Sequence, residues 1–267
     1  MPLVSVAGRK VYYESHGKAG GTPIVLVMGM GGSCKGWLAL QVPDFAPHHR
    51  VLIYDYRGVG ESEDPGGPFT TADLADDLAG LLDALRIQRA HVLGAFLGGM
   101  TAQQFALRHP ARLDRMILVG TYARPDAKRR MIVEKWREMA RLDVGPRVFK
   151  LERLLWTLQD ETLEQSDLID AMSASFPGEG LPVSADLLQR QCAAALGHDV
   201  LDRLREIPHR TLVLCGRNDQ LTPARLHREI ADELPNARLA TLYGAHLIMA
   251  EAAEQMNNAV LHFLAEK

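Results

Sequence analysis

The sequence predicts an α/β fold, a mostly parallel sheet doubly wound by helices, and three observations carry that prediction. Runs such as Ile24-Val25-Leu26-Val27-Met28 are continuously apolar and mostly β-branched, as a strand covered on both faces requires. Such runs alternate with segments of helical period, the pattern of parallel strands joined by crossover helices. The length, 267 residues, lies in the range that one α/β domain fills.

Each element follows from local pattern. Leu3–Val6 and Lys10–Ser15 are short, partly alternating runs that read as an opening antiparallel pair turning at Gly8. Ile24–Met28 ends in a glycine-rich loop, Gly29-Met30-Gly31-Gly32-Ser33-Cys34-Lys35-Gly36. Val51–Tyr54 is the next buried strand and closes on Asp55-Tyr56-Arg57-Gly58-Val59-Gly60-Glu61-Ser62. Thr71 is placed to cap a helix over Ala72–Leu85, whose leucines share one face. Ala90–Leu93 is a strand, Thr101–His109 a helix with Pro110 beyond it, and Arg115–Val119 the sixth strand.

From Tyr122 to about Leu204 the rhythm changes. Met131, Ile132, Trp136 and Met139 fall at helical spacing, as do Leu151, Leu154, Leu155 and Leu158, and most are expected to pack against the sheet domain. So long a structureless connection is implausible in a compact domain. Residues 122–204 are therefore expected to form a helical cap inserted after the sixth strand, with 1–121 and 205–267 as the core. Strand character resumes at Thr211–Cys215, a helix follows Pro223, Arg238–Leu242 is a strand, and a helix over Ala250–Ala265 ends the chain.

Composition excludes several classes. The net charge of −3, with Lys and Arg scattered, gives no footprint for nucleic acid or a membrane surface. The N-terminal stretch lacks the apolar core of a signal peptide, and no apolar run is long enough to span a bilayer. Cys34, Cys192 and Cys215 are far apart and odd in number, which argues against a disulfide framework or zinc site and suits a reducing cytoplasm. No phosphate loop, dinucleotide fingerprint or metal cluster is present, so no cofactor is expected. The expected partner is a small molecule, and the oligomeric state is not legible.

The stretch richest in chemistry is Gly94-Ala95-Phe96-Leu97-Gly98-Gly99. It joins a buried strand directly to a helix through flanking glycines, the shape of the G-x-S-x-G nucleophile elbow. The glycines suit positions where a side chain would strike the adjoining strand and helix. Phe96 stands where the nucleophilic serine would be.

Taken together, the motifs make the chain similar to the α/β-hydrolase superfamily, esterase- and lactonase-like members with a helical cap, over essentially its whole length. The Gly94–Gly99 turn matches that family's elbow except at its centre. Asp55-x-Arg57-Gly58-x-Gly60-x-Ser62 matches a loop frequent in esterase, lactonase and epoxide-hydrolase-like members. Gly216-Arg217-Asn218-Asp219-Gln220-Leu221-Thr222-Pro223 matches the segment carrying the family's acid, and Gly244-Ala245-His246-Leu247-Ile248-Met249-Ala250-Glu251 that carrying its histidine. The resemblance implies that Asp219 accepts the Nδ1 proton of His246 and steers the other ring nitrogen toward the substrate. It also implies an oxyanion hole from the backbone N–H groups of Met30 and Leu97. The family more often has His-Gly where this chain has Met28-Gly29, a change that removes a polar anchor but no backbone donor. Gly29, Trp37 and Trp156 are expected to line the pocket, and Asp55, Arg57 and Ser62 to fix their loop.

Phenylalanine offers no lone pair, and loss of the serine from a triad costs about 10⁶ in turnover. Covalent serine-type hydrolysis is therefore not expected. Cys34 and Ser33 lie on the nearest loop, but neither sits on the elbow. Three explanations stay open. His246–Asp219 acts as a general base on a substrate or a water. Alternatively, an ordinary esterase or lactonase carries an inactivating change at position 96. In the third, the chain binds a small molecule without turning it over. The elbow's central residue is normally held at positive φ, costing on the order of 1–3 kcal/mol, so Phe96 is expected there with its ring in the pocket.

Overall fold

The computed structural model describes residues 2–17, 20–167 and 183–266. Eight strands form one sheet: β1 Leu3–Val6, β2 Arg9–Gly17, β3 Ile24–Val27, β4 Arg50–Tyr54, β5 Ala90–Ala95, β6 Leu113–Val119, β7 Thr211–Gly216 and β8 Ala237–Leu242. Their order is β1-β2-β4-β3-β5-β6-β7-β8. β1 runs antiparallel to β2 and β2 to β4, and every later pairing is parallel. This is the predicted mostly parallel sheet of the α/β-hydrolase fold.

From β3 the chain steps outward to β4 and then returns to lay β5 on the other side. The carboxyl ends of β3 and β5 therefore flank a reversal in strand order, where open α/β sheets hold their ligands. The glycine-rich loop after β3 and the turn after β5 meet at this crevice.

Alternation along the strands divides the core in two. Val25, Val27, Leu52, Val92 and Leu118 face one layer, which also holds Phe96, Met30 and Tyr122. Ile24, Leu26, Ile53, Leu93 and Ile117 face the other. Helices Thr71–Ala84, Leu97–Arg108 and Ala224–Glu233 cover the first layer with Leu74, Leu78, Met100, Leu226 and Ile230. Gln41–Phe45 and Ala253–Ala265 cover the second with Val42, Phe45, Met256 and Val260.

Several boundaries differ from expectation. Thr70, not Thr71, caps the helix that begins at Thr71, and Asp73 completes a capping box with it. Thr71 is buried instead, hydrogen-bonded to His198. The last helix is broken at Ala252, leaving Ile248–Glu251 and Ala253–Ala265.

Between β6 and β7 lie helices Ala127–Arg141, Pro146–Thr157, Asp160–Leu163 and Ala185–Leu196. Residues 168–182 of the expected cap lie outside the described residues. Met131, Leu151 and Leu155, expected to pack inward, are 71%, 52% and 62% exposed. In the first of these helices the inward face is Arg129, Ile132, Val133, Trp136 and Ala140. Met131 stands about 100° round the helix from Ile132 and misses that face.

Candidate active site

The turn after β5 is built as its glycines demand. A Cβ on Gly94 would lie 2.1 Å from the Gly98 carbonyl oxygen, and one on Gly98 would lie 2.1 Å from that of Val27. Strand, turn and helix thus touch backbone to backbone, with no room for a side chain at either position. Phe96 sits at φ +44°, a conformation that L residues rarely adopt. Its N–H donates to the Val119 carbonyl at 3.0 Å, and its own carbonyl accepts from the Met100 N–H at 3.0 Å and the Thr121 hydroxyl at 2.8 Å. Its ring is buried, edge-on to Tyr122 at 5.8 Å and to His246 at 5.4 Å between centroids.

The loops after β7 and β8 bring the predicted acid and histidine together. His246 Nδ1 lies 2.9 Å from Asp219 Oδ2, and both residues are buried. Thr222 braces the carboxylate, its N–H donating to Oδ1 at 2.6 Å and its hydroxyl to Oδ2 at 2.7 Å. Because that hydroxyl proton is already given to Asp219, the Nδ1 proton of His246 is shared between Oδ2 and the Thr222 oxygen, 3.1 Å away. Burial pushes the Asp219 carboxyl up, but the imidazole and the hydrogen bonds from His246 and Thr222 outweigh it and hold the group below its ordinary value. The anion therefore persists and fixes the ring's tautomer, leaving Nε2 as the nitrogen without a partner among the described residues. Gly120, at φ +53°, supports the ring: a Cβ there would come within 3.0 Å of Cε1 and 3.1 Å of Nδ1.

Met30 and Leu97 are both buried, and among the described residues neither backbone N–H has a hydrogen-bond acceptor. Gly29 lies against the elbow; its Cβ would be 3.7 Å from that of Phe96. The next peptide is gripped from two helices between β6 and β7. Arg153 Nη2 donates to the Met30 carbonyl at 2.9 Å, and the Gly31 N–H donates to Gln191 Oε1 at 2.8 Å. Gly31 takes φ +72°, and the room a Cβ would need is filled by Arg153 Nη1.

Of the other expected pocket residues, Trp37 lies apart. Trp37 is fully buried in the opposite core layer with Ile24, Leu26 and Phe45, not beside Phe96. The short helical turn Cys34–Trp37 carries it away from the elbow, under the sheet. Trp156 is half-buried, its indole N–H donating to Glu152 at 2.7 Å, with the ammonium groups of Lys128 and Lys135 5.1 and 5.3 Å from its ring. Cys34 is buried in the same layer as Trp37, and that burial raises its thiol pKa well above the ordinary range, so no thiolate is available there. Asp55, Ser62 and Arg57 hold loops, as expected. Asp55 Oδ1 accepts from the Cys34 N–H, Ser62 Oγ donates to the Asp55 carbonyl, and Arg57 Nε donates to Asp77.

The sequence reading missed several supporting residues, Arg153 and Gln191 among them. His227 is buried behind the elbow, and burial pushes its pKa down to about 4. The neutral ring accepts the Thr121 N–H at 3.1 Å through Nε2, while the Thr121 hydroxyl holds the Phe96 carbonyl. Arg129 was missed as well; it is 1% exposed on the inward face of the Ala127–Arg141 helix, as is Trp136, which was expected to pack inward. The seven-residue interval between them was the available signal, masked by a charged residue at one end.

With this geometry in place, known proteins supply a comparison. Residues 22–253 match the family model described as alpha/beta hydrolase fold. The provisionally named carbamate hydrolase RutD of Azorhizobium caulinodans is 32% identical over 274 aligned positions, covering 100% of this chain and 99% of that one. The crystal structure of the enol-lactonase from Burkholderia xenovorans superposes with a TM-score of 0.90 at 30% identity, covering 99% of this chain and 100% of the other. A hydrolase from Pseudomonas aeruginosa superposes with a TM-score of 0.87 at 31% identity, covering 99% of this chain and 97% of that one.

Proposed function

The chain belongs to the alpha/beta hydrolase fold family, and from that premise we propose that it works on a small molecule through His246–Asp219 general-base chemistry, without a covalent intermediate. The observation that carries this reading is the buried pair itself. Nδ1 is committed to a carboxylate 2.9 Å away, Nε2 is left without a partner among the described residues, and the usual attacking oxygen is replaced by the ring of Phe96. Nε2 takes a proton from the substrate or from a water. The backbone N–H groups of Met30 and Leu97 then hold the negative charge that develops on a carbonyl oxygen. The imidazolium, stabilised by Asp219, returns the proton to the leaving group or to carbon. Such a cycle serves hydrolysis, elimination, cyclisation or carbon–carbon cleavage without a cofactor. Residues 122–204 are read as the cap over the pocket, with 1–121 and 205–267 as the core, and Gly29, against the elbow, as part of the pocket's lining. Three free, buried cysteines suit a reducing cytoplasm.

The relatives' names, carbamate hydrolase and enol-lactonase, denote reactions of small acyl compounds. They point to that class for this pocket too. A second reading is favoured by the turn, which keeps its close glycine contacts and its positive φ around a residue poorly suited to it. That reading is an ordinary serine esterase or lactonase with position 96 replaced.

Turnover of 4-nitrophenyl acetate and γ-butyrolactone by the unmodified chain, Phe96→Ser and His246→Ala separates them. The general-base reading expects slow turnover without a burst in the unmodified chain, falling at least about 100-fold in His246→Ala. Turnover unaffected by His246→Ala overturns it. Turnover confined to Phe96→Ser, with a burst of 4-nitrophenolate, establishes the second reading instead. No turnover in any of the three leaves a binding protein.

A further inference from the structure

On the inserted helices several buried donors lack partners among the described residues. Arg129 is 1% exposed, yet its Nε and Nη1 are buried without a hydrogen-bond partner. Its nearest carboxylate, Asp126 at 3.1 Å from Nε, also binds Arg225, so two guanidinium groups share one anion. Two helical turns on, the Trp136 indole N–H is likewise buried and unpartnered. On the neighbouring Ala185–Leu196 helix, Gln191 spends its oxygen on the Gly31 N–H and keeps its amide nitrogen unpartnered. Arg153, whose guanidinium carbon is 5.8 Å from the Trp136 ring centre, holds the Met30 carbonyl and forms no ion pair among the described residues. All three unpartnered groups are donors. The one carboxylate at the elbow, Asp219, is already matched to His246.

Buried donors left empty cost stability, and a buried cation without a full partner costs more. An acceptor-rich anion would satisfy them. Phe96, Tyr122, Ile132, Phe149 and Leu188 belong to one apolar cluster that also contains Trp136. Apolar walls with a few convergent donors describe a site for a small organic molecule. A guanidinium fork fits the flat, two-oxygen face of a carboxylate, and an indole N–H adds a neutral donor on the same helix face.

We infer that the space between Phe96 and the inward face of the Ala127–Arg141 helix binds a small apolar molecule carrying a carboxylate, with Arg129 as its counter-ion and Trp136 Nε1 and Gln191 Nε2 as neutral donors. The inference names the substrate class for the pocket proposed above and rests on there being such a pocket, but not on its base chemistry.

Calorimetric titration of the unmodified chain with acetate, hexanoate, octanoate, phenylacetate and adipate, each beside its amide, tests it. At least one carboxylate is expected to bind ten-fold or more tightly than its amide. That preference is expected to vanish in Arg129→Met and to shrink several-fold in Trp136→Phe. Melting curves guard against mere misfolding: Arg129→Met, relieved of a buried charge that Asp126 only partly compensates, is expected to melt at or above the temperature of the unmodified chain. Equal binding of acid and amide, binding of none of the panel, a preference kept in Arg129→Met, or tighter binding of inorganic phosphate than of every carboxylate each overturns it. His246→Ala is expected to keep carboxylate binding whatever becomes of turnover, so a failed base mechanism and a failed anion site give different results.

Discussion

The elbow and the helices above it solve opposite problems. At the elbow the backbone is fixed from several sides: Phe96 is held by the Val119 carbonyl, the Met100 N–H and the Thr121 hydroxyl, and Gly94 and Gly98 touch neighbouring backbone, with the Leu97 N–H left open. On the inward face of Ala127–Arg141, Arg129 and Trp136 are equally buried and hold unsatisfied donors. The outward face carries exposed Met131. One region is overdetermined by sterics and spends most of its hydrogen bonds internally. The other keeps bonding capacity in reserve, the signature of a surface shaped for a ligand rather than for stability.

The sharpest way to break this contrast is Gly98→Ala. The new methyl would meet the Val27 carbonyl oxygen at 2.1 Å and its carbon at 2.7 Å, and neither backbone atom can swing aside. A loss of at least about 3 kcal/mol is expected in urea unfolding, in the class of severe overpacking. A loss under about 1 kcal/mol would show the turn to be less constrained than its contacts imply.

His227→Leu tests the support behind the elbow. It strands the buried Thr121 N–H, and a loss of about 1–3 kcal/mol is expected near neutral pH. The same change alters the acid limb. His227 titrates near 6.5 unfolded and about 4 folded, so its contribution is complete above about pH 6.5 and disappears as the pH falls toward 4. The unmodified chain should lose stability across that interval more steeply than the variant. The slope should shrink but not vanish, because His198 and His91, pushed down by burial to about 3 and about 4, remain. Parallel curves of stability against pH would mean that His227 is not buried neutral.

At the small end, Leu155→Lys on the outward side of the inserted helices should change stability by no more than about 0.5 kcal/mol. Leu155 is 62% exposed. A larger loss would place that leucine under cover in solution.

The sheet was legible because its strands are buried on both sides, which forces continuous apolar runs such as Ile24–Val27 that no other element explains. The acid and histidine were legible because each follows a buried strand. Their pairing across 27 positions needed the resemblance, since nothing local says that two loops converge. Trp37 was misplaced because a bulky aromatic after a glycine loop looks the same in sequence whether it enters the crevice or the layer beneath. Arg129 escaped notice because burying a cation breaks the rule by which cores are recognised. His227 and Thr121 were invisible for a related reason: their value lies in one hydrogen bond, and spacing does not encode it.

Arg153 and Gln191 hold the oxygen and the nitrogen of a single amide plane, the one joining Met30 to Gly31. A plane fastened at both edges cannot rotate, so the orientation of the loop is written partly in helices far away in the chain. Drift in those helices would thus retune the crevice without any change in the loops after β3 and β5, and the two parts are bound to evolve as a matched set.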